Sequence, residues 1–249
     1  MFGKLLRSRD DRAPRAPHAT RLYAVGDIHG RIDLLRALHD RIRDDARDYA
    51  GRRVLIYLGD YVDRGDNSRQ VIELLLDHPL DRFETIRLMG NHEDMMSSFL
   101  EDASIGPAWM INGGDATLAS YGVDAPAEPV GKTRIRALQQ AFNEVLPPRH
   151  RGFLRALGER HVEGDYLFVH AGVRPGVAPD RQDRQDLLWI REPFLSSTAD
   201  HGHCVVHGHT TVTEPEFHAN RIAIDTGAYY SGTLTCLVLE DAERRVLQT

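Results

Sequence analysis

The sequence lacks most devices that stabilise or anchor a protein by means other than a buried core. It has two cysteines, Cys204 and Cys236, too few for a disulfide framework or a cysteine-rich zinc site. Both sit in strand-like apolar runs and read as buried free thiols. No apolar stretch approaches the roughly eighteen residues that a membrane span requires. The start, Met1-Phe2-Gly3-Lys4-Leu5-Leu6, turns charged too soon for a signal-peptide core, so a cytoplasmic protein without membrane contact is expected. Positive charge is not in excess either. With a formal net charge of -6, the chain lacks the basic balance of a dedicated nucleic-acid binder.

What remains is an ordinary globular composition, 41% hydrophobic and 27% charged over 249 residues. That length can bury a core of useful size without staples. Residues 7–19, RSRDDRAPRAPHA, alternate charge with proline and alanine, and the spacing predicts a disordered tail over 1–19. A single domain is expected over 20–249.

Within it, strand-like runs alternate with helical periodicity. Arg21–Val25, Val54–Leu58 and Thr85–Met89 read as strands. After the first, Asp33 is expected to cap a helix carrying Leu34, Leu35, Leu38 and Ile42. After the second, Asn67 or Ser68 starts a helix with Val71, Leu74 and Leu75 inside. This is the pattern of βαβ units on a parallel sheet. Residues 94–164 are helix-rich, with breaks at Gly106-Pro107, Gly113-Gly114 and Pro147-Pro148, and read as a helical insertion without a strong strand run. Strands return at Tyr166–Val169, Cys204–Val206, Ile222–Ile224, Leu234–Leu239 and Arg245–Leu247, with turn-rich spacing that favours a second sheet. Two stacked sheets flanked by helices would make a four-layer α/β/β/α sandwich.

Each of the first three strands ends in a glycine-flanked polar loop: Gly26-Asp27-Ile28-His29-Gly30, Gly59-Asp60-Tyr61-Val62-Asp63-Arg64-Gly65 and Gly90-Asn91-His92-Glu93. In open α/β sheets, ligands gather beyond the carboxyl ends of strands. Asp27, His29, Asp60, Asn91 and His92 therefore converge, and their mixed oxygen and imidazole donors suit a pair of divalent metals and phosphate ester hydrolysis. His170, in His170-Ala171-Gly172, and His209, in His207-Gly208-His209-Thr210, also follow strands. His207 shares a face with His209 in an extended segment, so composition does not choose between them. His18, His39, His78, His150, His161, His201, His203 and His218 read as surface or hydrogen-bonded structural histidines.

These blocks, with Trp109–Gly122 (WMINGGDATLASYG) and Ile224–Ala228 (IDTGA), resemble the calcineurin-like metallophosphoesterases over about residues 21–240. Within that superfamily they are most similar to the phosphoprotein phosphatase family, in its bacterial serine/threonine phosphatase branch. The resemblance implies that Asp27 and His29 hold one metal, that Asp60 bridges both, and that Asn91, His170 and His209 hold the second. That assigns His209 rather than His207. It makes His92 the general acid, oriented by Asp63, which protonates the leaving group as water activated between the metals attacks. It places Arg64, Asn91 and Arg191 on the substrate phosphate. Glu93 is expected to support the third loop and has no catalytic role. Two divalent ions per chain are implied, manganese first, with iron, zinc or cobalt as alternatives.

The implied substrate is phosphoserine or phosphothreonine in a phosphoprotein or phosphopeptide. The rival on the same frame is a hydrolase of symmetrical dinucleoside polyphosphates such as diadenosine tetraphosphate. Relatives of that kind tend to lack the Asp at position 63 and to carry Asp at position 93. A catalytically silent scaffold is the third reading, against which every expected ligand is present.

Overall fold

Leu22 and Ala24 point to one face of the first strand and Tyr23 and Val25 to the other, and all four are buried. A computed structural model, describing residues 13–124 and 131–249, shows what each face meets. β1 (Thr20–Val25), β2 (Arg52–Tyr57) and β3 (Glu84–Arg87) pair in parallel. β4 (Arg160–Glu163), β5 (Tyr166–Val169), β6 (Cys204–His207), β7 (Glu216–Phe217) and β8 (Arg221–Ala223) form a second, mixed sheet in the order β4-β5-β6-β8-β7. β9 (Thr235–Glu240) and β10 (Glu243–Gln248) return to the first sheet, β9 antiparallel to β1, giving the order β10-β9-β1-β2-β3.

The sheets stack through Leu22, Ala24, Val54 and Ile56 on one side and Phe168, Val206 and Ile222 on the other. Fully burying each of these side chains larger than alanine contributes about 1.5–3 kcal/mol. The opposite face of the first sheet, with Tyr23, Val25, Leu55 and Tyr57, is covered by α1 (Ile32–Ala46), α2 (Ser68–Asp77) and helices from the middle of the chain. A thinner layer, α8 (Arg184–Trp189) with the segment to Phe194, covers Leu167, Val169 and Val205. The result is the four-layer α/β/β/α sandwich that the pattern implies. No helix among the described residues is long and apolar enough to cross a membrane.

The middle of the chain supplies α3 (Asn91–Glu101), α4 (Gly106–Trp109), a π-turn at Met110–Gly114, α5 (Asp115–Ser120), α6 (Lys132–Val145) and α7 (Pro148–Arg155). Their Phe99, Trp109, Leu118 and Phe142 join the same core as α1 and α2, so the helical stretch is continuous with the body of the fold.

Four expectations need correction. Asp33 does not cap α1; it lies inside the first turn, where its carboxylate pairs with Arg31, Nε to Oδ1 at 2.9 Å. Residues 13–19, expected to be disordered, are ordered: Ala16 is buried, Ala16 N donates to Asp241 O, and Asp165 N donates to Arg15 O. The rest of that expectation, 1–12, lies outside the described residues, as does 125–130 of the insertion. The helical stretch also ends in a strand, β4, antiparallel to β5. Finally, β9 and β10 complete the first sheet, because the continuous apolar run of β9, buried on both faces, fits beside the equally buried β1. Cys204 and Cys236 are buried free thiols as expected, and burial pushes Cys204 up to about 11.

Candidate metal centre

Parallel strands bring their carboxyl ends to one edge, and here two sheets do so at the same end. Gly208 N donates to His170 O at 2.8 Å, and His209 N donates to Asp27 Oδ2 at 3.1 Å. The motif glycines let the loops touch backbone to backbone. A Cβ on Gly59, whose φ is +108°, would lie 2.7 Å from Gly90 Cα, and one on Gly90 would lie 2.9 Å from Asp60 Cγ. Ile28 N and His29 N both donate to Asp60 O, at 3.0 and 2.8 Å. The buried Glu93 carboxylate accepts from Gly90 N (3.0 Å), Asp60 N (2.9 Å), Tyr61 N (2.8 Å) and Val62 N (3.2 Å). It thus supports the second loop, through three of these four bonds, more than its own. Of the eight non-glycine residues at positive φ among those described, five are His29, Asp60, Asp63, Arg64 and His209. Such strain persists only where the surroundings fix it.

The donor atoms fall into two groups that share Asp60: His29, Asp60 and His92, and Asp60, His170 and His209. His29 Nδ1 donates to Val62 O at 2.9 Å, which leaves Nε2 as an acceptor 3.5 Å from Asp60 Oδ2. His170 Nδ1 donates to Leu58 O at 3.0 Å, and its Nε2 lies 2.8 Å from Asn91 Oδ1 and 3.4 Å from Asp60 Oδ1. His209 Nδ1 lies 2.9 Å from the same Asn91 oxygen. His207 points away from this cluster. Its ring packs on Phe194, 5.0 Å between centroids, and Nδ1 donates to Gly208 O.

This set fits divalent cations. Second-sphere carbonyls fix the tautomers of His29 and His170 with Nε2 free, the usual arrangement behind a metal-bound imidazole. Asn91 Oδ1 and His170 Nε2 are two acceptors 2.8 Å apart, a contact that a cation between the donors turns from repulsive to favourable. Burial holds His29 and His170 well below the ordinary histidine value, and burial followed by Arg191 lowers His209 to about 3. Burial, then Asp225 and Asp60, raises Asp27, and burial pushes Asp60 up to about 6. Crowded buried carboxylates of this kind are relieved by a bound cation. Asp27, His29, Asp60, Asn91, His170 and His209 could hold two.

His92 has a different partner. Its Nδ1 donates to Asp63 Oδ2 at 2.7 Å, while Nε2 stays 3.7 Å from Asp60 Oδ2. Burial alone would lower its pKa, but Asp60 and Asp63 outweigh that and hold it above the ordinary value. Arg64 is exposed at the mouth. Its guanidinium lies 2.8 Å from His29 Nε2 and 5.0 Å above the Tyr229 ring. Arg191 is also exposed, and it reaches the centre through its field at His209 rather than through a side-chain hydrogen bond among those described.

Sequence reasoning passed over several contributors. Trp109 Nε1 and Thr117 Oγ1 donate to Asp63 at 2.8 and 2.6 Å. Both lie in the WMINGGDATLASYG block, whose resemblance was legible although its contacts were not. Asp225 accepts from Thr211 Oγ1 and Gly227 N, at 3.0 and 2.8 Å, behind Asp27. A cavity of about 1190 Å³ lies at the other end of β6, beside Cys204, and contains none of these residues.

Residues 20–237 match the calcineurin-like phosphoesterase family. Among curated proteins, the chain is similar to a bis(5'-nucleosyl)-tetraphosphatase PrpE [asymmetrical] of Anoxybacillus flavithermus, 26% identical over 237 residues, with 88% of this chain and 90% of that protein covered. Among solved structures, it resembles a cold-active protein-tyrosine phosphatase of a psychrophilic Shewanella, with a TM-score of 0.53, 19% identity, and coverage of 94% of this chain and 83% of that one. It also resembles a protein serine/threonine phosphatase from Saccharomyces cerevisiae, with a TM-score of 0.50, 16% identity, and coverage of 92% and 79%.

Proposed function

The chain belongs to the calcineurin-like phosphoesterase family, and from that premise we propose that it is a metal-dependent phosphomonoesterase acting on phosphoserine and phosphothreonine in proteins. Asp27, His29 and Asp60 would hold one divalent ion, and Asp60, Asn91, His170 and His209 the other, with manganese the first choice. Bound there, the ions supply Lewis-acid charge and acidify a water for in-line attack on phosphorus. Arg64, Asn91 and Arg191 grip the non-bridging oxygens and hold the ester in line.

The observation that carries this reading is the His92–Asp63 pair, 2.7 Å apart and buried. As the P–O bond breaks, its electron pair goes to the leaving oxygen, and the proton on His92 Nε2 passes to that oxygen. Asp63 keeps the Nδ1 proton in place throughout. An alkoxide is a poor leaving group unless protonated, whereas a phosphate or a phenolate leaves more easily alone. A dedicated, carboxylate-held imidazolium is therefore best matched to alkyl phosphates such as phosphoserine.

The name of the curated relative favours a second reading, asymmetrical cleavage of dinucleoside tetraphosphates. One feature of the mouth supports it. Tyr229 and Tyr230, 39% and 63% exposed, offer aromatic surface beside Arg64 on which a base can stack.

A phosphoserine peptide and diadenosine tetraphosphate, compared at equal concentration with defined manganese, separate the two. The proposal expects a higher kcat/KM for the peptide. Far faster release of a nucleoside triphosphate and monophosphate from the dinucleotide would overturn it.

A further inference from the structure

The helical stretch after the third loop has a component that packing does not require. Trp109 is fully buried between Phe99 and Phe142, at centroid distances of 5.0 and 5.8 Å, with Gly114 leaving room for its indole. A phenylalanine would keep an aromatic ring between Phe99 and Phe142. What the indole adds is one N–H, which when buried must find an acceptor. It finds Asp63 Oδ2 at 2.8 Å, the same oxygen that accepts His92 Nδ1 at 2.7 Å. The other oxygen, Oδ1, accepts from Thr117 Oγ1 at 2.6 Å. Thr117 Oγ1 and Ser68 Oγ also accept from Asp63 N, at 2.9 and 3.0 Å. They hold the residue at φ +71°, where a non-glycine backbone is strained.

We propose that Trp109 and Thr117 are positioning residues for the general acid. They lock both torsions of Asp63 so that its carboxylate holds the His92 ring with Nε2 turned to the leaving oxygen. This rests on the general-acid reading of His92. A carboxylate with a single partner can rotate about its own bonds and take the imidazole with it. Three donors arriving from α3, α4 and α5 leave it one orientation. The helical stretch thereby acts on the chemistry as well as the packing, since its aromatic core aims one indole and one hydroxyl at the acid's partner.

The test uses Trp109→Phe and Thr117→Val, each removing one donor, the second with little change of shape, and Thr117→Ser as the conservative rescue. Each is assayed with defined manganese on a phosphoserine peptide and on p-nitrophenyl phosphate. For both donor-deleting variants, kcat on the peptide should fall roughly tenfold with KM unchanged. On the activated phenol, kcat should stay within about twofold of wild type. Thr117→Ser should behave as wild type. In the double variant Trp109→Phe/His92→Asn, the peptide rate should be no lower than in His92→Asn alone, since the indole acts only through His92.

Equal losses on both substrates, no loss on either, or a further full loss on top of His92→Asn would overturn the proposal alone. If His92→Asn itself lost equally on both substrates, the general-acid reading would fall and the proposal with it. Should Trp109→Phe not fold, the Thr117 pair decides the question by the same comparison.

Discussion

Replacing Gly90 with alanine should damage the centre without touching a donor atom. A Cβ at Gly90 would fall 2.9 Å from Asp60 Cγ, with Asp60 N and Oδ1 closer still. Ordinary contact begins at 3.4 Å, so with the Asp60 backbone nitrogen among the clashing atoms, Asp60 and α3 must separate by about 1 Å or more. Asp60 cannot be the one to move, because its carbonyl accepts from Ile28 N and His29 N and its N–H donates to Glu93. The start of α3 must shift instead, carrying Asn91 and His92. Overpacking of this kind costs about 1–3 kcal/mol, which for a chain of this size lowers the thermal midpoint by roughly 2–12 °C. A displacement of about 1 Å at reacting groups costs roughly 100-fold in rate. Differential scanning calorimetry, manganese titration by isothermal calorimetry and kcat on a phosphoserine peptide check the three parts separately. A folded variant with wild-type manganese affinity and kcat within about twofold of wild type would refute the claim that this loop contact sets the centre.

Asp60→Asn should keep its circular dichroism spectrum while losing at least about 100-fold in activity and weakening both metal equivalents, read by metal analysis after dialysis. His92→Asn should lose about 10²–10⁴-fold on a phosphoserine peptide and much less on p-nitrophenyl phosphate. Away from the centre, His39 is buried and accepts from the Tyr57 hydroxyl at 2.7 Å, and burial lowers its pKa to about 4. Its folded value lies below the unfolded one of about 6.5, so its contribution is complete above pH 6.5 and fades as pH falls towards 4. Urea unfolding at pH 7 and pH 4.5 should therefore show wild type losing about 2–3 kcal/mol more than His39→Leu.

That these side chains gather at one edge was legible because their placement is local. Asp27 and His29 are two residues apart at a strand end, and Asp60, Asn91, His170 and His209 each follow an apolar run. What was not legible depends on contacts across the chain. The indole of Trp109 meets Asp63 across 46 residues, and nothing in the helical periodicity of its block marks that. Composition left His207 and His209 open and the resemblance chose His209; the physical reason is the turn at Gly208, which puts the His207 ring on Phe194 and His209 Nδ1 beside Asn91 Oδ1. β9 could not be assigned to the first sheet from its own residues, since a continuous apolar run suits either sheet. The ordering of residues 13–19 comes from acceptors, Asp165 and Asp241, that lie far along the chain. Glu93 showed the reverse: its role in its own loop was expected, but its length lets one carboxylate bind the second loop as well.

If two divalent ions held through Asp60 carry out hydrolysis of a phosphomonoester, turnover must follow the loading of both. A manganese titration of chelator-stripped protein, with phosphoserine-peptide hydrolysis followed at each point, reads this directly. No turnover is expected in the stripped protein, and activity should saturate at two equivalents. Full turnover in the continued presence of chelator, or saturation at one equivalent, would contradict a two-ion centre.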